Sequence, residues 1–144
     1  MFLFKKIFFT IIFITAIIIF FSCEEEIVNP DIPESEIIGT WVLTKIIVSY
    51  PIGEREITPQ SSNLALTIEL KSNNTFMRHQ NNQGEITNDQ GTWSIEMGVL
   101  ALVTSSNTYT FPCRLNNNIL LAATSVIDPD TKFLIPLKLE LTKQ

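Results

Sequence analysis

Histidine is nearly absent from this chain: His79 is the only one in 144 residues, and cysteine occurs twice, at Cys23 and Cys113. Zinc centres draw on several His or Cys ligands, and no such cluster exists in the sequence. A Ser–His–acid device needs a His beside a nucleophilic Ser. His79 instead follows Arg78 and precedes a Gln/Asn run, and no Gly-x-Ser-x-Gly elbow occurs anywhere. Five glycines in all leave no glycine-rich loop to cradle a phosphate. Asp128-Pro129-Asp130 lacks the Gly and the closing Glu of a calcium loop and reads as a proline-set turn. Glu54 and Glu56 flank Arg55 in a stretch that reads as solvated loop. Basic charge is also short, with 10 Lys and Arg against 15 Asp and Glu, a net of −5. That balance repels nucleic acid and provides no polybasic patch for anionic lipid heads. The expectation is a non-enzyme with no cofactor, no metal and no nucleic-acid partner.

What is present begins at the N-terminus. Lys5 and Lys6 precede an apolar run from Ile7 to Phe21, which ends in Ser22 and Cys23. A positive start, a short apolar stretch and a small residue before the cut form the secretory pattern. The run is shorter than the roughly 20 apolar residues of a spanning helix. The series resembles the lipobox of bacterial lipoproteins, with Phe20 and Phe21 in place of the usual Leu and small residue. That resemblance implies a signal peptide over 1–22, cleavage before Cys23, acylation of Cys23 as lipidation site, and a membrane partner through that anchor. Without Lys5 and Lys6 the mature chain carries 8 basic and 15 acidic residues, a net of −7. Cys113 is then the one remaining thiol, so no intrachain disulfide forms, and a lone small Cys is expected buried and inert.

Glu24-Glu25-Glu26 and then Pro30 and Pro33 mark 23–36 as an acidic, proline-bearing tether with too little apolar content to pack. Acidic residues directly after an acylated Cys resemble the sorting signal that sends some Gram-negative lipoproteins to the cell surface. Glu24, Glu25 and Glu26 are thus candidate sorting residues, for an outer-membrane and surface-exposed location. A solvated spacer is the simpler alternative.

From Ile37 to Gln144 the pattern is strand after strand. Thr40–Tyr50 is rich in Trp, Val, Ile and Thr. Pro51–Asn63 carries two prolines and a polar run, and reads as a loop. Leu64, Leu66, Ile68 and Leu70 alternate with Ala65, Thr67, Glu69 and Lys71, the period of a half-buried strand. Six more candidates follow between polar turns at Ser72–Asn74, Asn81–Gly84, Glu96–Gly98, Ser105–Asn107, Asn116–Asn118 and Asp128–Thr131. In the last, Phe133, Ile135, Leu137, Leu139 and Leu141 share one face. Eight strands with short links predict an all-β, antiparallel meander. Closure into a barrel would remove both exposed edges; a sandwich is the other solution.

Two fragments now match: Ile38-Gly39-Thr40-Trp41 opens the first strand, and Gly91-Thr92-Trp93 opens the fourth. Between them lies Leu66–Leu70, followed by Asn73-Asn74-Thr75-Phe76. The set resembles the lipocalin-like domains of Gram-negative lipoproteins, where Asn74 often stands as Gly. The resemblance covers about 37–143 and implies an eight-stranded lipocalin-like β-barrel. It gives Gly39, Trp41, Gly91 and Trp93 structural roles at the closed end. The family's late Arg over the first Trp has no counterpart, and Lys138 is a weak substitute.

Such a barrel can enclose one small ligand or be filled by its own side chains. The expected inward set adds Leu43, Phe76, Tyr109, Phe111 and Phe133 to the two Trp. Steps of two from Trp41 also bring Leu43, Lys45 and Ile47 to the inner face, unless a bulge turns Lys45 outward. Leu43, Lys45, Ile47, Phe76, Tyr109, Phe111 and Phe133 are therefore the candidate lining of a site for a small apolar or amphipathic ligand. The alternative is a filled barrel acting as a structural or interaction lipoprotein of the envelope.

Overall fold

The computed structural model describes residues 31–128 and 130–144. Cys23, Glu24, Glu25, Glu26 and the leader lie outside the described residues. Among the described residues, two one-turn helices, α1 (Glu34–Ile37) and α2 (Pro59–Ser62), accompany nine strands. The strands are β1 (Gly39–Tyr50), β2 (Gly53–Ile57), β3 (Leu64–Leu70), β4 (Thr75–Asn82), β5 (Glu85–Glu96), β6 (Val99–Val103), β7 (Thr108–Asn116), β8 (Ile119–Ile127) and β9 (Leu134–Lys143).

Each strand from β3 to β9 pairs antiparallel with its sequence neighbour, and β1 pairs with β3 on one edge and β9 on the other. The meander thus closes, and β1 with β3–β9 forms a closed eight-stranded antiparallel barrel. Alternation drives it: Leu66, Ile68 and Leu70 of β3 are buried while Ala65 is exposed, so one face of each strand must find a common interior. Tight turns sit where residues tolerate positive φ, at Asn74 (59°), Gln83 (54°), Met97 (49°) and Asn117 (52°). Asn74 takes this conformation at the position where the family often has Gly.

The stretch 51–63 is not the loop its composition suggests. Gly53–Ile57 forms a ninth strand on the upper half of β1, with Tyr50 opposite Gly53 and Ile46 opposite Ile57. Pro59–Ser62 makes α2, capped by the Thr58 hydroxyl, which accepts from Ser61 N at 3.3 Å. The tether expectation also gives way at its end. Ile32 and Ile37 are buried in the core, and α1 lies against the barrel base. Two isoleucines suffice to dock this segment despite its prolines.

The ladder is continuous only toward one end. β1 and β3 pair from Gly39–Leu70 to Val42–Thr67 and then part. β7 and β8 pair from Asn116–Ile119 to Cys113–Ala122 and then part. The end holding Trp41, Trp93, Leu102, Leu120 and Leu141 is the packed core, each residue 3 % exposed or less. The opposite end opens between two flaps, β8-β9-β1-β2 and β3-β4-β5.

Candidate functional site

The closed end is built around two indoles. Trp41 is fully buried, and its Nε1 donates to Ile37 O at 2.7 Å. Trp93 Nε1 donates to Lys71 O at 2.9 Å. Buried Trp is tolerated where its N–H finds an acceptor, and both do. The cation over Trp41 is Lys143, whose Nζ stands 5.4 Å from the ring centroid and donates to Glu36 O at 2.9 Å. Lys138 is not the substitute; it pairs with Glu54 on the outside at 2.6 Å. Hydrogen bonding to Lys138 first, and its charge second, hold the Glu54 carboxyl below its usual range. Gly39 makes room for the Lys143 stem, because a Cβ there would lie 2.6 Å from Lys143 Cε. Gly91 has no space for a side chain either, since its Cβ would fall 1.9 Å from Val103 O.

Leu43 and Phe76 are 5 % and 1 % exposed and form the floor above the indoles. Lys45 and Ile47 do not line the interior. Between Leu43 and Lys45 the register of β1 against β9 slips by one, with Leu43 opposite Leu141 but Lys45 opposite Glu140. This bulge at Thr44 exchanges the faces, so Ile46 and Val48 point inward and Lys45 and Ile47 outward. Lys45 meets Glu56 at 3.5 Å and Glu140 at 3.6 Å. Their charges, Glu140 first, raise its pKa. Phe133 is also outside the lining, 74 % exposed. Lys132 before it has φ 60°, Asp128 N donates to Phe133 O at 2.9 Å, and β9 starts one residue later, so the turn carries the ring clear of the sheet.

The cation inside the barrel is Arg78. It stands two residues beyond Phe76 on the inner face of β4, directly opposite Asp89 of β5, and its Nη2 donates to Asp89 Oδ2. The Arg78 guanidinium carbon lies 4.4 Å above the centroid of the Tyr109 ring, a cation–π contact. Arg78 Nε is buried with no hydrogen-bond partner. Half-buried Phe111, two residues beyond Tyr109, shares its face on β7. The signal was legible in the alternation of β4, where Phe76 and Arg78 share a face. The step from Trp41 to Lys45 drew attention to the wrong cation.

Exposure rises along the inner face of β8 and β9 toward their far tip. On β8 it runs from Leu120 (2 %) through Ala122 (5 %) and half-buried Thr124 to Val126 (46 %). On β9 it goes from Leu141 (1 %) to half-buried Leu139, Leu137 and Ile135. The interior is therefore packed around Trp41 and opens toward the β8–β9 tip. A lateral cleft of about 680 Å³ also opens where β1 leaves β3, beneath α2, with Leu64, Leu66 and the amides of Gln60, Asn63, Asn81 and Gln83 in its wall.

His79 faces outward, its Nδ1 2.6 Å from Asn88 Oδ1 across the β4–β5 ladder. Asp128 Oδ1 accepts from the backbone N–H of Asp130 at 2.8 Å and of Thr131 at 2.9 Å, which lowers its pKa and makes a turn of that segment. Among the described residues, no three His, Cys, Asp or Glu side chains come together to hold a metal ion.

A closed eight-stranded barrel can be filled by its own side chains or hold one small ligand. The family model of the lipocalin-like domain matches residues 37–120, and the chain belongs to that family. No curated protein matches the sequence.

Proposed function

We propose that this protein is a lipid-anchored, non-catalytic binding protein of the outer membrane, acylated at Cys23. Its barrel takes a small amphipathic ligand, tail along the half-buried Leu137 and Leu139 of β9, polar head at Arg78. The observation that carries the reading is Arg78 itself. A guanidinium has five N–H donors and no acceptor, and a buried donor left without a partner is costly. Asp89 meets Nη2, and Nε is left as a buried donor without a partner. A ligand head bearing acceptor oxygens, such as a carboxylate, satisfies that donor, and the half-buried leucines of β9 suit an acyl tail. Support for a non-enzyme comes from the outward His79 and the absence of a nucleophile–base pair in the sequence. Support for the anchor comes from the charged, apolar and small-residue series before Cys23 and for surface location from Glu24–Glu26.

Titrating the full chain with a fluorescent fatty-acid analogue tests the reading. Saturable binding that weakens in Arg78→Gln is expected, and no saturable binding sinks it. A second reading has its own observation: the lower half of the barrel is fully packed. If binding fails, a filled barrel acting through its outer surface in an envelope assembly is the function that remains.

A further inference from the structure

Elsewhere on the sheet exposed apolar residues such as Met77, Ile86 and Met97 are scattered, whereas the open rim of one flap gathers them. Lower on β9 the outer face is polar, with Lys138, Glu140 and Thr142. At the tip, Ile127 pairs with Leu134 on the outer face, and these are 65 % and 67 % exposed. Val126 on the inner face is 46 % exposed, and Phe133 in the turn is 74 % exposed. The β1–β2 tip is its neighbour. Val48 pairs with Leu137, so Tyr50, two residues on, reaches the height of Ile135 and Val126. Tyr50 is 43 % exposed and Ile52 fully so. Six apolar or aromatic side chains thus crown two adjacent hairpin tips, on both faces, beside the barrel mouth. Exposed clusters of this kind mark interaction sites, whereas single exposed apolar residues do not.

We propose that this crown is a membrane-contacting wedge that lays the barrel mouth against a lipid bilayer. Three observations select a lipid surface. Ile52 and Phe133 sit in the turns and the other four at the strand ends beside them, which suits shallow entry among headgroups, with Tyr50 as the amphipathic interfacial residue. A second copy would need about 20–30 residues on each side for a stable interface, and six residues on two narrow tips fall far short. The reach of the chain also allows it. Nine Cα–Cα steps lead from Cys23 to buried Ile32 at the closed end, a span of up to about 30 Å when extended. β1 has 12 residues, about 40 Å along the strand and about 30 Å along a barrel axis once tilted. A chain anchored at Cys23 can therefore lie over and bring the far rim to the same bilayer. The contact does not depend on ligand binding, but it would let an amphipathic ligand pass between bilayer and barrel without crossing water.

The test places an environment-sensitive fluorophore at the tip of the full chain through Phe133→Cys, adding phosphatidylcholine vesicles that contain a spin-labelled quencher lipid. A blue shift with quenching is expected, and adding Ile52→Asp and Leu134→Asp should lower the quenched fraction about tenfold. Emission at the water-exposed value, or quenching untouched by the two aspartates, overturns the proposal; the first outcome leaves the crown to a protein partner. Because both substitutions are on exposed tips, the fluorescent fatty-acid titration in solution should not change with them. Failure of the wedge is thereby distinguished from failure of the binding reading.

Discussion

Gly91→Ala should be among the most damaging single-methyl changes in this protein. Gly91 is the last residue of β5 before the ladder to β6 begins, at Thr92–Val103. Its Cβ would fall 1.9 Å from Val103 O, 2.8 Å from Val103 C and 3.1 Å from Phe76 Cε1. Backbone is not able to give way as a flexible side chain does, so β5 and β6 must separate by more than about 1 Å. Loss of one or two ladder hydrogen bonds costs about 1 kcal/mol each, and overpacking adds about 1–3 kcal/mol. The sum, about 2–5 kcal/mol, is a large part of a total stability of about 5–15 kcal/mol. At about 4 °C per kcal/mol for a domain of this size, Tm should fall by roughly 8–20 °C in a circular-dichroism melt. Gly53→Ala is the control. Nothing lies within 4 Å of its Cβ, but its φ is +138°. It carries backbone strain alone, about 1 kcal/mol and so about 4 °C. Equal Tm losses at the two glycines would refute the steric reasoning.

Four further outcomes follow from the same structure. Trp41→Ala empties the base of the barrel and should cost about 3–5 kcal/mol in chemical denaturation. Cys113 is buried, and burial pushes its thiol from 9.0 up to about 11. The folded state therefore holds this proton more tightly than the unfolded state, and stability should decline as pH rises from 9.0 to about 11, a slope that Cys113→Ala flattens. Cys23→Ala should abolish incorporation of labelled fatty acid, and label retained on that variant would remove the lipidation site. Replacing Glu24, Glu25 and Glu26 together by Ala should reduce protease access on intact cells at constant total protein, and equal access would end the sorting role.

The alternation of apolar residues announced the strands, because each strand must bury one face, and the closing pair of β1 with β9 followed from the cost of open edges. What alternation does not carry is a change of register. The extra residue at Thr44 reverses parity, so the same rule that correctly put Leu43 inside put Lys45 and Ile47 there as well. Phe133 failed for a related reason, since it obeys the parity of β9 but precedes its ladder. β2 was hidden because Gly53–Ile57 is short and its charged residues, Glu54 and Arg55, look like loop. Lys143 over Trp41 depends on how the last strand ends against Gly39, a contact between residues 104 positions apart in the chain. Arg78 was readable from Phe76, two residues before it, but its partners Asp89 and Tyr109 come from other strands.

The central claim is that Arg78 meets the head of an amphipathic ligand inside the barrel. Its Nε–H gives a side-chain signal in a ¹⁵N-correlated NMR spectrum, assignable by its loss in Arg78→Lys. Adding dodecanoate to the full chain should shift that signal in a saturable way while Arg55 and Arg114, exposed on the outside, stay fixed. An Arg78 signal unmoved at saturating dodecanoate, or shifts confined to the outer surface, would contradict the account.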